Sequence, residues 1–193
     1  METLKQESKM TNYRWVICSM LFLATTINYL DRQVLSLTCN EFIKPEFHWS
    51  DTDYGNITSI FAIVYAFAQL FAGRIVDRLG TKKAYAVAIA VWSFGACIHA
   101  LCGIATEAYV GASSRLELLQ ATGEVAVMIS TFSTYAFIVA RCVLAIGEGG
   151  NFPSAIKATA EYFPKKDRAY ATAIFNSGSS IGALIAPLTI PVL

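Results

Sequence analysis

Five apolar runs of helix-spanning length, separated by short clusters of charge, set the terms for this chain: 15–37, 54–76, 84–105, 125–152 and 169–193. About 20 helical residues cross the roughly 30 Å of bilayer hydrocarbon, so every run is long enough to span. Within lipid each peptide group must find its partner inside its own element, which makes the runs helices. The predicted fold is therefore all-α and polytopic, one transmembrane domain over 1–193 with short connections. Charged residues make up 15% of the chain, against about a quarter in soluble domains, and mean hydropathy is +0.48. That balance argues against a water-soluble enzyme.

The fifteen Lys+Arg nearly match the fourteen Asp+Glu, leaving a formal charge of +1 and no basic excess for nucleic acid. Cys18, Cys97, Cys102 and Cys142 lie inside apolar runs without CxxC spacing, and Cys39 lies near a run's end. Neither a disulfide framework nor a zinc site is expected. His48 and His99 alone make no metal site, and no cofactor motif is present.

Orientation follows from the basic residues, which are retained on the cytoplasmic side. With the N-terminus inside, Lys5, Lys9, Arg14, Arg74, Arg78, Lys82, Lys83, Lys157, Lys165, Lys166 and Arg168 are cytoplasmic, while Lys44 and Arg115 are outside. A multi-pass protein of the inner (plasma) membrane with a cytoplasmic N-terminus is predicted. The first run continues into Asn28-Tyr29-Leu30-Asp31-Arg32 rather than a cleavage site, so it is expected to stay attached. Segment 106–124, where Arg115, Glu117 and Gln120 alternate with Leu116, Leu118 and Leu119, reads as an amphipathic outer segment lying on the headgroups. Trp15, Trp49 and Tyr54 read as interfacial anchors.

Four charges stand inside the runs: Asp31 and Arg32 in the first, Arg141 and Glu148 in the fourth. Each would cost roughly 2.5–3.5 kcal/mol at the bilayer centre if left alone, so they need partners or water. Mutual neutralisation across helices is the simplest arrangement. Thr25, Asn28, Tyr29 and Arg32 fall on one helical stripe, and Arg141 and Glu148 lie two turns apart on one face. Static ion pairs locking a bundle would explain such residues singly. Together they mark a path for an ion or a polar anion.

The junction Gly73-Arg74-Ile75-Val76-Asp77-Arg78-Leu79-Gly80-Thr81-Lys82-Lys83 resembles the G-x-x-x-D-R-x-G-x-K-K signature of major facilitator superfamily transporters. Its glycines would allow close helix approach and a tight turn, and Asp77 could face helix N-termini. Within that superfamily the chain is similar to the anion:cation symporters, and most of all to bacterial hexuronate transporters. Asn28 to Arg32, Arg141 through Glu148 to Pro153, and Phe175-Asn176-Ser177-Gly178 carry the likeness.

The resemblance implies the first five helices of a twelve-helix fold, with the C-terminal half of the transporter missing. It implies secondary active transport of a small organic anion, a hexuronate or related sugar acid, by symport with H+, or with Na+ as the alternative ion, through alternating access. By the same resemblance Arg32 would bind the substrate carboxylate, with Tyr29, Tyr65, Asn176 and Gln69 lining the site. Asp31 and Glu148 would exchange protons, and Arg141 would partner these acids. Membrane lipids are the remaining partner. The last run ends at Pro191-Val192-Leu193 without a polar cap, so an incomplete chain is expected. The alternative is a non-transporting five-helix sensor or assembly protein. Gly178-Ser179-Ser180-Ile181-Gly182 matches a nucleophile-elbow pattern but lies in an apolar run, where helix packing explains it better.

Overall fold

The computed structural model describes residues 13–190. Among them, five long helical segments form the bundle: α1 (Tyr13–Thr38), α3 (Asp51–Leu79), α4 (Thr81–Val110), α6 (Glu124–Gly149) continued by α7 (Asn151–Tyr162), and α8 (Arg168–Thr189). Two short helices, α2 (Lys44–Phe47) and α5 (Arg115–Gln120), fill connections at one end. Four of the segments are long and apolar enough to cross a membrane. The first is not among them: α1 has the length, 26 residues, but its polar stripe and charges dilute its apolar character.

Local chemistry fixes the ends. Ser50 and Asp53 form a reciprocal capping box that starts α3, with Asp53 N donating to Ser50 Oγ at 3.2 Å and Ser50 N to Asp53 Oδ2 at 2.9 Å. Gly80, at φ 78°, both ends α3 and begins α4, so the hairpin turns on one residue that a side chain would strain. Cys39–Ile43 is a π-helical turn ahead of Pro45, which lacks the N–H that a regular ladder would use. The fourth run was expected to end at Phe152. Instead the chain breaks only at Gly150, whose N–H reaches Gly147 O at 3.2 Å, and resumes as helix to Tyr162. Pro153 lacks the N–H that Gly149 O would otherwise accept, which puts the break beside Glu148.

Small residues set the packing. An added Cβ on Gly178 would lie 2.6 Å from Phe22 O, and one on Gly95 would lie 2.7 Å from Leu144 N. These contacts bring α8 onto α1 and α4 onto α6 at backbone distance. The glycine pair Gly178 and Gly182 is thus a helix-packing feature and no nucleophile elbow.

Two apolar clusters bracket the bundle. At one end Leu35, Phe47, Trp49, Ile57 and Phe137 pack together, and at the other Leu21, Ala155, Ala158 and Phe175. Outward faces carry Leu70, Leu184 and Leu188, each more than two-thirds exposed, as a lipid-facing surface requires. The polar stripe of α1 and the charges of α6 lie between the clusters along their helices.

The Trp49 end differs from expectation in three ways. Helix α4 runs on to Val110 rather than ending at Ala105, and the following segment docks on the bundle. Leu118 is fully buried, its carbonyl lies 2.8 Å from His48 Nε2, and Arg115 binds Glu46 through two hydrogen bonds, one from Nε at 2.7 Å. Trp49 is a core residue, with its indole N–H donating to Ser133 Oγ at 2.8 Å, not an interfacial anchor.

Candidate functional site

Glu148 sits in the turn of α6 before the Gly150 break and is fully buried. Across the bundle, Arg32 Nε donates to Glu148 Oε2 at 2.6 Å. The guanidinium also lies over the Tyr65 ring at 4.1 Å, with Tyr29 at 5.3 Å and Phe61 at 5.6 Å, so three aromatic faces hold its charge. Its Nη2 is buried without a partner, as is Glu148 Oε1. Arg32 therefore keeps an N–H edge uncommitted while bound to Glu148.

Arg141 is 6% exposed and lies in the same neighbourhood, 5.2 Å from the Phe61 ring centre. Phe61 is thus a shared aromatic surface for two guanidinium groups. Arg141 makes no ion pair with either acid among the described residues, and its Nε is unpartnered. The expected partner of the acids is instead Arg32 for Glu148, while Asp31 accepts from the Trp92 indole N–H at 2.8 Å.

Two cavities meet at Arg141. One, of about 200 Å³, is lined by Arg32, Arg141, Phe61, Tyr54, Thr58 and Ser36. The other, of about 320 Å³, has Asp31, His99 and Arg141 on its wall. Their sizes, at or below the low end of drug-sized pockets, suit a small ligand or water. Tyr54 therefore faces a cavity with the charges, although its position at the start of an apolar run suggested a membrane anchor. Phe61 and Trp92 were not singled out from sequence, because aromatics in an apolar run look like packing.

The remaining expected residues fall into place unevenly. Gln69 Nε2 donates to Tyr65 Oη at 2.9 Å, fixing the ring beneath Arg32. Tyr29 packs edge-on to Phe152, with centroids 6.3 Å apart. Asn176 is exposed on α8 and has no side-chain hydrogen bond to the cluster, so the described structure does not bring it to the others. Thr25 and Asn28 are fully buried with unpartnered polar atoms.

In the hairpin motif, Asp77 accepts from Lys157 Nζ at 2.8 Å, and the same ammonium donates to Val76 O at 3.1 Å. Asp77 thus ties α3 to α7 through a lysine rather than through a helix N-terminus. Arg78 and Lys82 are exposed. Gly80 makes the tight turn, whereas an added Cβ on Gly73 would meet nothing within 4 Å, so no close approach explains Gly73 here.

The sequence profile of the Major Facilitator Superfamily matches residues 21–193. The chain belongs to the Major Facilitator Superfamily. This facilitator is a multi-pass membrane protein, and its family consists of transporters, not enzymes. It is 34% identical over 172 residues to a protein of Pseudomonas putida named "Probable galactarate/D-glucarate transporter", covering 89% of this chain and 32% of that one. To the hexuronate transporter of Escherichia coli K12 it is 29% identical over 179 residues, covering 93% and 34%. To the galacturonate transporter of Dickeya chrysanthemi it is 27% identical, covering 93% and 43%. The facilitator chain thus spans about a third of the length of the first two relatives. No solved structure matches it.

Proposed function

We propose that this chain forms part of a secondary active transporter that carries a hexuronate or related sugar acid together with a proton. The observation that carries the reading is the Arg32–Glu148 pair at 2.6 Å, with one N–H edge of Arg32 unpaired at a small cavity. A planar guanidinium takes a carboxylate in fork geometry, so a sugar acid is the kind of anion this edge fits. Names borne by the relatives point to the same substrate class.

The pair also supplies coupling. As long as Glu148 is ionised, it satisfies Arg32 and competes with an incoming carboxylate. Protonation of Glu148 removes that competitor, and the substrate carboxylate replaces it as the anionic partner of Arg32. One negative charge and one proton then enter together, so no net charge is added to the buried site. Asp31 is a second proton-exchanging acid in this reading, and Arg141 balances the charge between the two cavities. Tyr29, Tyr65 and Gln69 contact the sugar, with Asn176 approaching it when further helices close the site.

The proposed setting is the inner membrane with a cytoplasmic N-terminus, and alternating access between this domain and a second half contributed by further chain. Binding of glucuronate, galacturonate, galactarate and a neutral hexose to the protein expressed from its complete reading frame tests the reading. It is measured at several pH values with and without sodium. Sugar acids should bind and the hexose should not, with acid pH favouring binding and sodium having no effect. Equal binding of the neutral sugar, or dependence on sodium alone, contradicts it.

A further inference from the structure

We propose that Trp92 is a positioning residue for Asp31: its indole N–H holds the carboxylate toward the cavity that Asp31 shares with His99 and Arg141, apart from the Arg32–Glu148 pair. The proposal rests on the reading of Asp31 as a proton-exchanging acid.

Asp31 and Arg32 are adjacent in sequence but turn about 100° apart on a helix of 3.6 residues per turn. They open onto different spaces: Arg32 lines the cavity with Tyr54 and Thr58, and Asp31 lines the one with His99. Trp92 makes that divergence specific. It is buried on α4, yet its Nε1 reaches α1 and donates to Asp31 Oδ2 at 2.8 Å. A close approach of α4 to α6 sets its position. An added Cβ on Gly147 would collide with the backbone of Trp92, so only glycine lets α4 lie so near α6 at this level. Trp92 and His99, seven residues apart, lie on one face of α4, and His99 packs edge-on against Phe137 with centroids 4.9 Å apart.

Indole nitrogen only donates, so Trp92 bonds the ionised carboxylate and offers nothing to the proton of the neutral acid. It therefore favours the ionised form and fixes which oxygen is committed, leaving Oδ1 for the proton. The groups that share the Asp31 cavity are His99 on α4 and Arg141 on α6, with the Glu148 charge on α6 also felt at Asp31 and Arg32 next to it in sequence. No second carboxylate lines the Asp31 cavity, so a proton arriving there meets Asp31 and the imidazole.

Trp92→Phe retains the ring and removes the donor. In the protein expressed from its complete reading frame, the pH midpoint of sugar-acid uptake should move to higher pH by about one unit, as expected for losing one hydrogen bond to a charged group. In an Asp31→Asn background the same substitution should change nothing further. A midpoint that stays put in Trp92→Phe while Asp31→Asn shifts it overturns the positioning role alone. Glu148 still titrates in Asp31→Asn, so the pH profile of that variant should shift rather than vanish, and a profile that Asp31→Asn leaves unchanged overturns the underlying reading of Asp31. An independent readout needs no tryptophan variant. The Raman band of tryptophan that reports N–H hydrogen bonding should change on acidifying the wild type and not in Asp31→Asn, and an identical response in both contradicts the proposal.

Discussion

Arg32 and Glu148, 116 positions apart in the chain, are joined by a hydrogen bond of 2.6 Å from Nε to Oε2, with the carboxylate fully buried and the guanidinium partly open. The pair links α1 to α6 at the level where the chain breaks at Gly150. Breaking a buried pair from one side leaves the other charge without compensation, which costs roughly 3–5 kcal/mol. In the proposed function this pair is the one that exchanges partners with the substrate.

The first prediction concerns the shape of that cation. Lysine keeps the charge of Arg32 but lacks the planar fork and stacks poorly on Tyr65, which lies 4.1 Å from the guanidinium carbon. Arg32→Lys should lower uptake of sugar acids at least about tenfold, mostly through a raised KM, on the scale of one lost charge-assisted hydrogen bond. Initial-rate uptake over a range of substrate concentrations checks it, and unchanged kinetics would show that a point charge suffices.

Glycine packing gives a second prediction with an internal control. An alanine Cβ at Gly95 would stand 2.7 Å from Leu144 N, whereas one at Gly73 would meet nothing within 4 Å. Gly95→Ala should destabilise the full-length protein in detergent by about 1–3 kcal/mol, and Gly73→Ala should leave its thermal midpoint in place. Equal effects of the two substitutions on thermal unfolding would remove close approach as the cause.

At the Trp49 end, Arg115 is two-thirds exposed but its partner Glu46 is almost wholly buried. Arg115→Ala strands a buried carboxylate and should cost about 1–3 kcal/mol, while Glu46→Gln releases an arginine to solvent and should cost less. A double-mutant cycle followed by thermal unfolding measures the coupling; additive single effects would mean the two bonds contribute nothing jointly.

Lys44 and Asp51 behave otherwise. The ammonium donates to Asp51 at 2.5 Å and holds that exposed carboxyl below its ordinary value. A lowered carboxyl stabilises above its unfolded pKa, about 3.9, and loses that contribution only as pH falls through the lower folded value. Asp51→Asn should therefore leave the shape of the stability profile between about pH 5 and 8 unchanged, because the pair is exposed and fully formed throughout that window. A slope appearing there on substitution would contradict this.

Much of this was legible in the residues themselves. Apolar length announced the helices, since lipid permits little else, and charges inside them announced that they would meet partners within the bundle, since lipid does not tolerate them alone. Which arginine meets which acid was not legible. Arg141 and Glu148 share a face of one helix but stand two turns, about 10 Å, apart, whereas Glu148 bonds Arg32 of α1, a contact that only the packing of the helices decides. Trp92 escaped notice for a related reason: within an apolar run an indole reads as bulk, and its single polar atom matters only once Asp31 is opposite it. The helix from Asn151 to Tyr162 was hidden by its polar residues, which suit a surface helix as well as a loop. Asn176 was named through resemblance alone, and the five-segment bundle gives it no partner at the cluster.

The most direct test of the exchange of partners at Arg32 is proton uptake on substrate binding. Purified protein from the complete reading frame, in weakly buffered solution near neutral pH, is mixed with glucuronate or galacturonate while a pH indicator is followed. The account predicts that protons are taken up as the sugar acid binds, and that Glu148→Gln binds it with that uptake markedly reduced. Binding without proton uptake in the wild type, or uptake undiminished in Glu148→Gln, contradicts it.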